Sequence, residues 1–466
     1  MATHTENQQN GRLFNYRDTH SSEKHTKRFY ERLDYNWAIF PITATICFIA
    51  LYHISTWTGL YDKFVEPEVP WTPDCTILAI VYAPFLLGQL PPYSILWGMC
   101  LPMRPFGYKK APKGRYFREL KVCLVTKGTY MQTVVNSIRV WQDCREYQKI
   151  TFHVVLDSVD DDIKAAIPSF VNVVSVPASF QPAHAKYKGR ALEWFRLHLK
   201  LSELDWVLHL DEETEIDEYL VKACFDFIER GVEDIGMGTI YYTSHNYWEN
   251  SFLTTAEIFR VADDFGRFQL PIRLFKRPLL GWMHGSFILI NGAVENKVTW
   301  DTGCLAEDFW FAFHAARRGV KFGWIHAIAR EQPPVSVSDL IQQRRRWYTG
   351  IMSMDSWLVK LVLAIPMMGP LVYGALNVYT FISGWKISVS HWFFVWNLCN
   401  MAVDMHGIIV GSVLQDLYLG DTSLGALVLH IGLTLLWAPV VQFAHSIIFL
   451  SALIWPSSKF LVIKKV

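Results

Sequence analysis

Three clusters of side chains in this sequence have the types and spacings that chemistry requires. The first is Asp211-Glu212-Glu213, at the exit of the apolar run Trp206-Val-Leu-His-Leu210. Side chains alternate along an extended backbone, so Asp211 and Glu213 are expected on one side of it. Two hard oxygen donors there suit Mg²⁺ or Mn²⁺, and Mg²⁺ binds through one or two carboxylates together with substrate phosphates. The second cluster is Glu307-Asp308, just before the aromatic run Phe309-Trp-Phe-Ala-Phe-His314. A carboxylate fixed at a helix start can take the proton of an attacking hydroxyl, which makes Asp308 the candidate general base. The third is Gln343-x-x-Arg346-Trp347, whose members fall at i, i+3 and i+4 and so share one helical face. Arg346 suits a leaving diphosphate, and Trp347 a wall against which a sugar stacks. Taken singly, each cluster also has an ordinary reading. The acids fit a solvated turn or a helix start that complements the dipole. The last segment fits a basic-aromatic helix on a membrane surface, with Arg344, Arg345 and Tyr348 turned to the interface.

Elements that position these groups are legible as alternation between residues 115 and 336. Short apolar runs at Leu120–Thr126, Ile150–Leu156, Val171–Val176, Trp206–Leu210, Ile235–Tyr242, Ser286–Asn291 and Lys321–His326 predict strands. Amphipathic stretches at Tyr130–Trp141, Lys188–Leu201, Asp217–Arg230 and Glu307–Arg318 predict helices. Such alternation argues a mostly parallel sheet covered by helices. Polar groups gather where the strands end: Lys127 after the first, Asp157 after the second, Lys188 and Arg190 after the third, Asp211 after the fourth. Open α/β sheets bind ligands at those ends. A nucleotide fits the row, since a carboxylate accepts from base or ribose while Lys and Arg meet phosphate.

The 466 residues are 51% hydrophobic, high for a soluble chain, and the excess is localised. Trp37–Trp57 is long enough to cross a bilayer, and Ile77–Met99, interrupted by prolines, is a second candidate. Leu358–Ser383, His391–Leu414 and Leu424–Trp455 are three more; the last carries Pro439 and reads as one tilted helix or two broken ones. Lys and Arg flank the N-terminal pair on both outer sides, which places the tail and the central region in the cytosol. Residues 1–36 read as a flexible cytosolic tail without a cleavable signal. The resulting plan is a tail (1–36), a two-helix hairpin (37–100), a catalytic domain (101–336), an interfacial helix (337–357) and C-terminal spans (358–466). Lys459, Lys464 and Lys465 prefer the cytosol, which requires an even number of crossings after Trp347 and conflicts with three hydrophobic segments. Eight scattered cysteines without metal-ligand spacing suit a reduced compartment. A net charge of +1 gives no reason to expect nucleic acid, and nothing calls for an obligate protein partner.

Asp-x-acid at a strand end, Glu307-Asp308 and Gln343-x-x-Arg346-Trp347, in that order and flanked by hydrophobic helices, resemble the membrane-embedded inverting glycosyltransferases of family 2. The run Gly281-Trp-Met-His-Gly-Ser-Phe-Ile-Leu-Ile-Asn-Gly292 is most similar to the egghead-type β-1,4-mannosyltransferases of invertebrates. The resemblance implies a GT-A-like (Rossmann-like) α/β domain combined with transmembrane helices. It also implies transfer of mannose from GDP-mannose to glucosylceramide, Mg²⁺ or Mn²⁺ dependence, and residence in the endoplasmic reticulum or Golgi. By the same resemblance, Asp308 and Glu307 are catalytic and Asp211 and Glu213 hold the metal. Asp157, Lys127, Lys188, Arg190, Asp211, Gln343 and Arg346 bind the donor; Trp347, His284, Gly285 and Ser286 meet the acceptor. The sequence departs from the family pattern in having Glu213 for the second Asp and Ala306 for a Thr before the Glu-Asp pair. Alternatives are a UDP-sugar-dependent lipid glucosyltransferase or a processive polysaccharide synthase. From another class comes a transporter with a soluble regulatory domain, suggested by Asp404 and His406 in a hydrophobic segment.

Overall fold

A computed structural model of the chain describes residues 19–35, 38–65, 90–101, 114–157, 161–244, 247–383, 390–420 and 422–457. Its centre is a seven-stranded sheet: β1 (Glu119–Thr126), β2 (Ile150–Leu156), β3 (Val171–Ser175), β4 (Asp205–Leu210), β5 (Ile235–Tyr241), β6 (Ile288–Asn291) and β7 (Phe322–Arg330). The chief helices are α1 (Thr19–Tyr35), α2 (Ile39–Trp57), α3 (Leu90–Cys100), α4 (Met131–Arg139), α5 (Tyr187–His198), α6 (Glu218–Arg230) and α7 (Ser251–Asp263). They continue with α8 (Gln269–Phe275), α9 (Gly292–Val298), α10 (Glu307–Arg317), α11 (Val337–Met352), α12 (Trp357–Ser383), α13 (His391–Leu419) and α14 (Leu424–Ile454).

The sheet order is β3-β2-β1-β4-β6-β5-β7. Every pairing is parallel except those of β6, which runs antiparallel to both β4 and β5. Every residue of β4 and of β5 is buried, as expected of strands covered on both faces. The chain leaves β1 outward to β2 and β3, then returns to place β4 on the other side of β1. That reversal opens a crevice at the carboxyl ends of β1 and β4, where Thr126 and Asp211 stand. The architecture is therefore the GT-A-like, mostly parallel α/β class joined to long apolar helices.

Among the described residues, four helices are long and apolar enough to cross a membrane: α2, the first part of α12, α13 and α14. The predicted span Ile77–Met99 falls mostly outside the described residues. Its described end is α3, where Pro91 and Pro92 occupy the first turn, a place that tolerates missing N–H groups. Hydrophobic segment Leu424–Trp455 forms one continuous helix despite Pro439. The tail is not flexible over its second half: α1 buries Phe29, Tyr30 and Leu33 in the main core. Thr26 donates to Asp217 (3.1 Å) and shares a hydrogen bond with the Tyr418 hydroxyl, tying α1 to both the sheet unit and α13. These apolar residues recur at helical spacing, which makes a docked helix rather than a solvated tail.

Helices α7 and α8 have no counterpart in the sequence reading. They are joined by a π-helical turn, Asp264–Phe268, of the kind that accumulates near functional sites. A Cβ on Gly98 of α3 would lie 1.7 Å from the Phe265 carbonyl oxygen, so only glycine permits this contact between α3 and the turn.

Candidate active site

The crevice is lined by residues from every predicted cluster, among them Lys127, Asp157, Lys188, Asp211, Glu213, Gly285, Glu307, Asp308, Gln343, Arg346 and Trp347. Asp211 leaves β4 with its peptide N–H bonded to Ser286 Oγ (3.1 Å) and Thr214 Oγ1 (3.2 Å). Thr214 donates in turn to Glu331 Oε1 (3.0 Å), so the turn carrying the acids is braced by Ser286, just before β6, and by Glu331, just after β7. Glu212 also borders the crevice but accepts from Thr126 Oγ1 (2.6 Å), which fastens β4 to β1.

Lys188, in the first turn of α5, sits among the carboxylates. Its ammonium donates to Asp211 Oδ1 (2.5 Å) and the Gly285 carbonyl (2.8 Å), and lies 3.8 Å from Glu307. Burial works against that charge, yet Asp211, Glu307 and Asp308 outweigh it and raise the Lys188 pKa. The ammonium is thus held as a fixed cation. Burial pushes Glu307 up to about 7, with Lys188 opposing and Asp308 adding to the rise. Asp308 is likewise raised, by burial first, against the pull of Lys188. A carboxylate lifted toward neutrality is a better proton acceptor than an ordinary one, as a general base requires.

The two key carboxylates face one another across a bare backbone. Asp308 Oδ1 accepts from the Phe309 N–H (2.8 Å), which orients the side chain. A Cβ placed on Gly285 would fall 3.0 Å from Asp308 Oδ2 and 3.5 Å from Asp211 Oδ2. Gly285 therefore keeps open the space between the two.

On the far wall, Trp347 is held by cations. The guanidinium of Arg344 lies 4.2 Å from its ring centroid and that of Arg260 4.7 Å, and both arginines pair with the fully buried Glu257 on α7. Gln343 accepts from Arg344 (2.6 Å), and Arg346 reaches the Leu305 carbonyl (3.3 Å) beside Glu307.

Several predicted placements need correction. Arg344 and Tyr348 are buried rather than turned to the membrane interface, because Glu257 offers a counter-charge and Phe449 an aromatic partner. Arg190 lies outside the crevice lining; it braces Asp157 (2.8 Å) and the carbonyls of Phe180 and Pro177 instead of facing phosphate. Burial raises the Asp157 carboxyl, and Arg190 opposes that rise. His284 points away, 2.7 Å from Asp264 and stacked on Phe268. Ser286 lines the crevice beside Gly285, but it is buried and its hydroxyl accepts from the Asp211 N–H. Thr214, Glu257, Arg260 and Glu331 went unremarked in the sequence. The only signal for Glu331 was an acid at a strand exit, and Glu257 and Arg260 sit on the unrecognised α7.

No group of three or more His, Cys, Asp or Glu is placed to hold a metal among the described residues. Asp211 and Glu213 line the crevice as two hard donors. That set fits a Mg²⁺- or Mn²⁺-type ion, which commonly takes one or two carboxylates and completes its shell with phosphate oxygens and water.

A family model described as "Glycosyl transferase family group 2" matches residues 206–457. The β-1,4-mannosyltransferase egh of Drosophila melanogaster is 30% identical over 302 residues, covering 62% of this chain and 64% of that protein. β-1,4-Mannosyltransferase bre-3 of Caenorhabditis elegans is 30% identical over 312 residues, 63% of this chain and 67% of that one. The match thus spans about two thirds of each relative. Among solved structures, the mannosyltransferase PcManGT from Pyrobaculum calidifontis, in complex with GDP-Man and Mn²⁺, overlaps at a TM-score of 0.43 and 12% identity. That overlap covers 81% of this chain and 97% of that one.

Proposed function

The chain belongs to group 2 of the glycosyl transferases, and from that premise we propose that it is an inverting β-1,4-mannosyltransferase. In this reading it moves mannose from GDP-mannose to the glucose of glucosylceramide. The names of the fly and nematode relatives support the sugar and linkage. The observation that carries the reaction is the meeting of Asp308, Asp211 and Lys188 around the bare backbone of Gly285, in a crevice whose other wall is Trp347.

Each residue then has a task. Asp211 and Glu213 hold the divalent ion, which when bound offsets charge on the diphosphate. Lys188 and Arg346 supply cations near the leaving group, and Lys127, Asp157 and Gln343 border the nucleotide end. Asp308 takes the proton from the acceptor hydroxyl as that oxygen attacks the anomeric carbon from the side opposite the diphosphate. One displacement inverts the anomeric centre, so an α-linked nucleotide sugar yields a β-glycoside. Glu307 and Lys188 set the charge around the base. Trp347, fixed by Arg260 and Arg344, offers a stiff surface to the acceptor sugar, because a ring held by two cations has little freedom to lose.

An acceptor whose tail stays in lipid requires a site near the membrane. Trp347 lies ten residues before Trp357, where α12 begins, with α11 ending at Met352 between them. In this reading the enzyme is a multi-pass protein of the endoplasmic reticulum or Golgi with its crevice in the cytosol. The test is a matrix of purified enzyme against GDP-mannose, UDP-glucose and UDP-N-acetylglucosamine, each with ceramide, glucosylceramide and a soluble glucoside. The expected product is mannosyl-β-1,4-glucosylceramide from GDP-mannose alone. A polymer, or transfer from a UDP-sugar to ceramide, overturns the proposal.

A further inference from the structure

Helix α14 is 31 residues long and hydrophobic, so composition alone assigns it a membrane crossing. Its contacts contradict that. At its start, His430 Nδ1 lies 2.8 Å from Asp416 Oδ2, and the His430 ring stacks on Trp248 at 3.9 Å. Asp416 also accepts from Tyr247 and from Trp248 Nε1 (3.1 Å), in the turn that leads into α7 of the catalytic unit. Midway, Trp437 Nε1 donates to Ser251 Oγ (3.0 Å) at the first residue of α7. At its end, the Trp455 carbonyl accepts from Arg345 Nε (2.8 Å), and the Ser457 N–H donates to Thr349 Oγ1 (3.0 Å), both on α11 beside Trp347.

From His430 to Trp455 is 25 residues, roughly 37 Å of helix. A bilayer core is about 30 Å thick, so a crossing helix has its two ends on opposite sides. Helix α14 is bonded to one catalytic unit at its beginning, middle and end. We infer that α14 does not carry the chain across the membrane: both of its ends lie on the side of the catalytic unit.

Its two faces fit that placement. Thr434, Ala438, Val441, Ser446, Phe449 and Ala452 are buried toward the protein at steps of three to five residues. Leu429, Leu436, Val440, Phe443, Ile447 and Ile454 form the opposite stripe and are 44–64% exposed. The helix carries no charged residue, so its exposed stripe has nothing to hold it in water. Its occupant is lipid acyl chain. The stripe meets α12 at Gly374, where an added Cβ would stand 3.8 Å from the Phe443 ring. The placement also removes the charge conflict in the sequence. With α12 and α13 as the crossings after Trp347, the Lys459, Lys464 and Lys465 tail returns to the side of the catalytic unit. The helix would then act as a sled that fixes α11, and with it Trp347, at headgroup height.

The inference rests on packing and charge, not on which donor or acceptor is used, and its readout is the side of the membrane on which each end lies. The full chain carries one epitope tag at its C-terminus and, in a second version, one after Thr422; retained turnover shows that each version is folded. Antibody access is measured in cells permeabilised at the plasma membrane only, and again after complete permeabilisation, with a catalytic-domain antibody as reference. Both tags are expected to be reached together with the catalytic domain in the first condition. A C-terminal tag on the opposite side from the catalytic domain, in an active protein, overturns the inference.

Discussion

Replacing Gly285 with Ala adds one methyl group at the point where the proposed base and the donor-side acid approach each other. The added carbon would stand 3.0 Å from Asp308 Oδ2, 3.5 Å from Asp211 Oδ2 and 3.7 Å from Lys188 Nζ. Contacts from about 3.4 Å are ordinary, so only the first must give, by about 0.4 Å. Gly285 does not have a left-handed φ, so alanine brings no backbone strain and the effect is one of position. Asp308 cannot swing freely, because its other oxygen is held by the Phe309 N–H. A 1 Å misplacement can cost about a hundredfold in rate, so 0.4 Å predicts a fall in kcat of roughly tenfold, about 1.4 kcal/mol in the barrier. The measurement is initial-rate kinetics with GDP-mannose and glucosylceramide in detergent, with GDP binding as a check on folding. Wild-type kcat in a folded Gly285→Ala enzyme would refute the reasoning, because it would mean that the reacting atoms do not pass this backbone.

Lys188→Met should weaken donor binding and move the acid limb of the kcat–pH profile to higher pH. The ammonium pulls Asp308 down, so its loss lets the carboxyl rise further and the base is protonated over a wider range; the profile itself is the check. Trp347→Ala should raise KM for the glycolipid about tenfold with donor Kd unchanged, since two guanidiniums worth about 0.5–2 kcal/mol each lose the ring they rest on. Chelation should abolish turnover and added Mn²⁺ or Mg²⁺ restore it, with Glu213→Ala needing more metal than the wild type; activity titrated against metal reads this out.

Much of the sheet was legible because its strands are buried on both faces and read as unbroken apolar runs, as Trp206–Leu210 does between polar flanks. The antiparallel β6 was recognised as a strand but not by direction, which depends on where the chain returns rather than on any local signal. Lys127, Asp157 and Asp211, expected together at strand exits, do line one crevice, because topology forces those exits to one edge. Side chains whose direction is fixed by a distant partner were misread. His284 turned to Asp264, and Arg344 turned to Glu257, since each partner lies on α7 or the π-turn, elements that carry no strong periodic pattern. The same cause hid the docking of α1, whose partner Tyr418 is 392 residues away from Thr26.

The central claim is that Asp308 is the base, and Asp308→Asn tests it with almost no change in shape. General-base catalysis contributes about 10² to 10⁴ in rate. The variant is therefore expected to bind GDP-mannose with wild-type affinity while single-turnover transfer to glucosylceramide falls by at least about a hundredfold. Transfer at a rate within a few fold of the wild type, in an enzyme that binds donor normally, would contradict the account.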